Sequence, residues 1–226
     1  MLHQHPGGQM LTKRMLDYCA FPANATVVDI GCGIGETVEY LRDHCGLKAV
    51  GLDLSKDRLE QGRMRAAGLL LLQGNSEQLP FLDASASGVI AECSLSVMQD
   101  TAKVVKEFRR ILVAGGKLGI TDLYVRNEEH LSSTCYLPEP GRQNCCMPDK
   151  DLLTILKEND FRVLVWEDQS VCLREFIAGY IMKYGLTEEL LRCFPCCDPR
   201  NTSGDETRKV KLGYFLLVAE KRGMEG

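Results

Sequence analysis

No run of apolar residues in the 226-residue chain approaches the ~20 that a membrane-spanning helix needs, which sets aside a bilayer-crossing role. No stretch gathers Lys and Arg on one segment, and the net charge is −4, so the phosphate backbone of a nucleic acid is not an expected partner. Met1 to Gly8 carries neither the basic start nor the apolar core of an export signal, and the expected location is the cytoplasm. Histidine is scarce. His3 and His5 lie near the amino terminus and His44 falls in a helical pattern, so these three read as solvated. His130, in a charged loop, is the one weak general-base candidate. Internal repeats and low-complexity linkers are also missing.

Cysteine, in contrast, is plentiful at eleven, an odd number in a chain without an export signal, and reduced thiols are expected. Cys19, Cys45 and Cys172 sit in or beside apolar-periodic stretches and read as small core residues. The segment Cys193-Phe194-Pro195-Cys196-Cys197 can chelate, but no second Cys-x-x-Cys or His-x-x-x-His completes a tetrahedral zinc site. Cys193, Cys196 and Cys197 are therefore weak metal candidates, and the expectation is no metal.

The chemistry concentrates at Val27-Val28-Asp29-Ile30-Gly31-Cys32-Gly33-Ile34-Gly35, where an apolar strand runs into a helix. Gly-x-Gly-x-Gly spacing lets the backbone turn sharply and approach a nucleoside where a Cβ would collide. A dinucleotide loop places its third glycine one position later, where this chain has Glu36, and a carboxylate there repels a pyrophosphate. That disfavours a nicotinamide dehydrogenase and favours a ligand without phosphates. Asp53 closes the next strand, where its carboxylate can accept hydrogen bonds from both hydroxyls of a ribose.

These residues resemble the class I S-adenosylmethionine-dependent methyltransferases, whose glycine loop and ribose acid match Asp29, Gly31, Gly33, Gly35 and Asp53. Gly74-Asn75-Ser76-Glu77-Gln78-Leu79-Pro80-Phe81 resembles the family's adenine-facing segment. Gly88 to Ser94 resembles the fourth strand, ending near the transferred methyl group. Phe108 to Asp122, with Gly115-Gly116 and Ala114 in place of a usual proline, resembles the following helix, turn and strand. The likeness is strong over about residues 20–126 and is of the small-molecule, type 11 kind. It implies S-adenosyl-L-methionine as cofactor, held by Asp29, Gly31, Cys32, Gly33, Gly35, Asp53, Leu54, Asn75, Ser76, Glu77 and Cys93. It also implies a small-molecule methyl acceptor reached by in-line displacement.

Strand and helix alternate along the chain, giving an α/β fold. The expectation is a three-layer α-β-α sandwich around a Rossmann-like, seven-stranded, mostly parallel sheet whose last strand is antiparallel. One domain is expected over 1–226, its core at about 20–126, 148–167 and 210–221, with insertions at about 127–147 and 168–209. Leu173, Phe176, Ile177, Tyr180, Ile181 and Tyr184 recur at helical spacing and read as a core stripe. Met10 to Cys19 reads as a helix that, by the resemblance, lies over the cofactor.

Arsenite methyltransferases share this scaffold and carry thiols where Cys93 and Cys145 or Cys146 stand, so metalloid methylation by thiolate ligation is one alternative. A quinone-precursor carbon methyltransferase is another, and a catalytically silent module that only binds the adenosyl cofactor is a third. The catalytic candidates are accordingly Cys93, Cys145, Cys146 and His130. The acceptor and the oligomeric state are not specified by the sequence.

Overall fold

The structure is a computed structural model and describes residues 5–126, 146–187 and 211–223. Its elements follow in chain order: α1 (Gly8–Cys19), β1 (Thr26–Ile30), α2 (Glu36–Asp43), β2 (Lys48–Asp53), α3 (Lys56–Arg65), β3 (Leu71–Gln73) and β4 (Ala86–Glu92). A single 3-10 turn at Leu95–Val97 leads into α4 (Thr101–Ile111) and β5 (Leu112–Val125). Then come α5 (Asp149–Glu158), β6 (Phe161–Asp168), α6 (Ser170–Tyr184) and β7 (Leu212–Lys221).

The seven strands form one sheet in the order β3-β2-β1-β4-β5-β7-β6. Strands β1 to β5 pair in parallel, and β7 enters antiparallel between β5 and β6. The expected architecture is thus observed. Central strands are apolar on both faces because helices cover both: Val28, Ile30 and Val89 share a core with Val104, Val105, Phe108 and Ile111 of α4. On the opposite face Val27, Ile90, Leu216 and Val218 pack with Leu11 and Met15 of α1 and Leu41 of α2.

Local chemistry sets the boundaries. Ser55 accepts a hydrogen bond from the Arg58 N–H (3.3 Å) and starts α3, as its N-cap position predicts. Asp100 does the same for α4 through the Lys103 N–H (3.0 Å). Two expectations need correction. The strand after Gly115-Gly116 begins earlier, at Leu112, and the residues about Ala114 and Gly115 bow outward as an irregularity. Leu112 pairs with Ala86, whereas Gly88 pairs with Lys117, so the glycines bend a strand instead of separating it from the helix. The stripe on α6 is also only half a core feature. Leu173 is buried and Ile177 and Tyr180 pack against the core, but Ile181 and Tyr184 are exposed.

Candidate functional site

At the carboxyl ends of β1 and β4 the chain opens a crevice of about 430 Å³, within the size range of small-ligand pockets. Its floor is the loop from β1 to α2. Gly31 takes φ 78° and packs so closely on Ser94 that an added Cβ would stand 2.4 Å from the Ser94 Cβ. The Gly31 and Cys32 N–H groups donate to the Leu52 carbonyl (2.7 and 3.1 Å), tying the loop to β2. At the end of β2, Asp53 accepts from the Gly33 N–H through Oδ2 and from the Ser55 N–H through Oδ1, each at 2.8 Å. Two fixed backbone donors therefore orient this carboxylate, and each oxygen keeps a lone pair for a ligand.

Asp29 is only 3% exposed and lines the crevice, and its carboxyl group makes no hydrogen bond within the described residues. Burial first, then the charges of Glu92 and Asp53, push its carboxyl well above the ordinary range. Glu92, at the end of β4, draws three elements together. Its Oε1 accepts from the Thr12 hydroxyl of α1 and its Oε2 from the Thr37 hydroxyl of α2, both at 2.8 Å. His5 Nε2 stands 3.7 Å from Oε1. No Lys or Arg among the described residues forms an ion pair with Asp29, Asp53 or Glu92. These strand-end acids thus have no paired cation among the described residues, although Arg58 and Arg65 of α3 also line the crevice, Arg65 paired with Glu39.

The expected site residues do not all meet the crevice in the same way. Asp29, Gly31, Cys32, Gly33 and Cys93 line it. The Cys32 thiol points away, into contact with the position a Gly51 Cβ would occupy, so Cys32 offers backbone only. Gly35 caps α2 at φ 74° and faces Leu71 and Leu69. Leu54 is exposed beside Asp53. Asn75 is exposed and its Oδ1 already accepts from the Glu77 N–H (2.9 Å), Ser76 is half-buried, and Glu77 stands 3.9 Å from the Lys103 ammonium. These three residues form a turn beyond the crevice lining.

Cys93 sits at φ 50° with its Sγ 3.1 Å from the Tyr214 hydroxyl, which donates to Thr121 (3.1 Å). Burial and the Asp122 charge push the Cys93 thiol up, the opposite of what a thiolate ligand needs. Cys146 is half-buried, and its charge contributes to the shift at Cys93. Cys145, His130, Cys193, Cys196 and Cys197 lie outside the described residues.

His5 is the largest departure from expectation. Its side chain is 14% exposed and lines the crevice, because the Gly7-Gly8 turn folds the preceding residues back: Gly7 has φ 77°, and the Gly8 N–H donates to the His5 carbonyl (3.1 Å). The paired glycines just before an apolar helix were the available signal. Glu92, Thr12 and Thr37 were likewise missed, since their meeting depends on contacts between distant parts of the chain.

Residues 28–120 match the family described as "Methyltransferase domain". The O-methyltransferase resE of Aspergillus sclerotiorum is 30% identical to this chain, over 94% of it and 82% of its own length. The methyltransferase GfsG of Streptomyces halstedii is also 30% identical, over 53% of this chain, which spans 45% of that relative's length. Among solved structures, phosphoethanolamine N-methyltransferase 2 of Haemonchus contortus in complex with S-adenosyl-L-methionine superposes with a TM-score of 0.76. The identity there is 20%, over 98% of this chain and 54% of that one, a likeness of fold. By these matches the chain belongs to the class I S-adenosylmethionine-dependent methyltransferases, and it transfers a methyl group to a small-molecule acceptor.

Proposed function

We propose that the acidic crevice is where this chain holds its methyl donor, and that the acceptor is a small molecule bearing a hydroxyl group. The observation that carries the first part is Asp29: a buried carboxylate without a hydrogen bond, beside Glu92 and Asp53 and without a paired cation, suits a ligand that brings positive charge. Asp53 would hold the ribose hydroxyls on the free lone pairs of its oriented carboxylate, with Leu54 flanking the sugar. Gly31, Cys32 and Gly33 would let the backbone lie against the ligand, and Gly35 would start the helix behind it. Asn75, Ser76 and Glu77 would border the adenine. Cys93 would close the far wall near the transferred group.

S-adenosyl-L-methionine supplies, when bound, a methyl group already activated on a cationic sulfur. The protein's share is to align an acceptor, exclude water and take up a proton. The hydroxyl acceptor is supported by the O-methyltransferase relative that matches most of the chain. A metalloid acceptor is not favoured, since the environment of Cys93 holds its proton.

Calorimetry with S-adenosylhomocysteine tests the site. Asp53→Ala orphans the Gly33 and Ser55 donors and removes the ribose acceptor, at a cost of about 1–3 kcal/mol for each lost partner, so affinity is expected to fall at least tenfold. Unchanged affinity in a folded variant would place the ligand elsewhere.

A further inference from the structure

Three strands in a row, β2, β1 and β4, each bring one carboxyl group to the crevice, and the three are not equivalent. Glu92 accepts from hydroxyls at both oxygens, Thr12 at Oε1 and Thr37 at Oε2, each at 2.8 Å. Asp53 accepts from backbone N–H groups at both oxygens, Ser55 at Oδ1 and Gly33 at Oδ2, also at 2.8 Å. Donors on both oxygens suit an ionised carboxylate. Asp29, on the middle strand and 3% exposed, has no donor on either oxygen within the described residues. A buried carboxyl without a donor, flanked by two acids, keeps its proton until a cation comes to it.

The other charged groups of the crevice do not supply that cation. The charges that act on Asp29 are those of Glu92 and Asp53. His5 stands at Glu92, its Nε2 3.7 Å from Oε1. The Cys32 and Cys93 thiols are pushed up, by burial first, and stay neutral. Arg65 of α3 is paired with Glu39 of α2 at 2.5 Å, and the Tyr40 ring lies against His44. Arg58 and Arg65 of α3, like Glu36, Asp43 and His44 of α2, line the crevice from exposed positions, where water and salt screen them.

We propose that Asp29 gives up its proton when the α-ammonium of the donor enters the crevice, and that this exchange makes Asp29 the residue that selects adenosyl ligands carrying an amino-acid group. This rests on the reading of the crevice as the methyl-donor site. In the exchange the O–H bond of Asp29 breaks, its electron pair stays on oxygen and the proton passes to solvent. The ammonium keeps its own protons and donates to the new carboxylate, which thereby gains the partner it lacks in the empty crevice. A ligand without an ammonium offers no such replacement and leaves Asp29 neutral. Each bound donor or product molecule therefore expels one proton. Affinity rises with pH while the empty crevice holds that proton and the filled one does not, and it levels off once the empty crevice is itself ionised.

Calorimetry on the full chain reads the exchange directly. Titration with S-adenosylhomocysteine at about pH 6, in buffers of different ionisation heat, should show release of about one proton per ligand bound. 5′-Methylthioadenosine keeps the nucleoside and the sulfur but has no amino-acid group, and it should release none. Between about pH 5.5 and about pH 6.5 the affinity for S-adenosylhomocysteine should rise at least about threefold, while that for 5′-methylthioadenosine stays level. Asp29→Asn, at ligand concentrations that saturate it, should release no proton with either ligand. Infrared difference spectra give a second readout: the C=O band of a protonated carboxyl should vanish when S-adenosylhomocysteine binds the unaltered protein, and Asp29→Asn should lack that change. If Asp29→Asn binds neither ligand, the two-ligand comparison and the infrared band on the unaltered protein decide the matter. Binding of S-adenosylhomocysteine without proton release, equal release with 5′-methylthioadenosine, or undiminished release in Asp29→Asn overturns the proposal. Failure of the unaltered protein to bind S-adenosylhomocysteine at all overturns instead the reading of the crevice on which the proposal stands.

Discussion

Burial, reinforced by the charges of Glu92 and Asp53, makes Asp29 hold its proton far above the usual carboxylate range. An acid raised in the folded state binds its proton more tightly there than in the unfolded chain. Its contribution is therefore fully present at low pH and is lost as pH rises through the raised value. Asp29→Asn mimics the protonated acid. Without ligand, its Tm is expected to match that of the parent near about pH 4 and to exceed it near about pH 8, since only the parent must then ionise a buried group. A Tm that falls at high pH in Asp29→Asn would mean the charged carboxylate has a partner. The variant should also bind S-adenosylhomocysteine more weakly, which calorimetry measures. The strand-end acids Asp29 and Asp53 were legible because their spacing from the glycine loop is local. His5 and Glu92 were not: the hydrogen bond from Thr12 to Glu92 closes over eighty positions, and no periodicity encodes such a meeting.

Among the helices, α1 is tied to β6 through one turn of its exposed face. Arg14 donates to Glu167 of β6 through Nε (2.7 Å) and Nη2 (2.8 Å), and the Tyr18 hydroxyl donates to the same carboxylate (2.6 Å). The Arg14 and Tyr18 contacts lower Glu167 from 4.5 to about 2. A depressed acid stabilises above its unfolded value and ceases to do so as pH falls through the folded one. Glu167→Gln is accordingly expected to lower Tm at neutral pH, with the deficit closing between pH 4.5 and about 2, and shrinking in high salt because the pair faces solvent. Thermal melts across that range decide it. Helix α3 gives a simpler case: Ser55→Ala removes the side-chain acceptor at its start and should cost about 1 kcal/mol, read by denaturant unfolding. Caps such as Ser55 and Asp100 are visible in sequence because they act within one turn. The early start of β5 was hidden, since Gly115-Gly116 signals a bend whether the chain on either side is paired or not. The exposed end of α6 was hidden for a related reason: helical spacing marks an apolar face but not how much of it is covered.

Alternation of strand and helix made the layered architecture readable before any contact was known, because a two-sided apolar strand has few ways to bury both faces. Phe108 is fully buried where α4 meets the sheet, so Phe108→Ala should cost about 3–5 kcal/mol and lower the midpoint of denaturant unfolding without changing the donor-binding groups. A loss below about 1 kcal/mol would mean that face of the core repacks freely. Strand order carries a consequence of its own. The strand that fills the gap between β5 and β6 is β7, which follows both of them in the chain. While a ribosome is still making residues before Leu212, the groups of β5 that β7 will satisfy have no antiparallel neighbour, although the glycine loop and its acids are already complete. Nascent chains stalled before Leu212 should therefore be held by chaperones or cleaved by proteases, and release of the last strand should be the step at which the newborn protein becomes resistant.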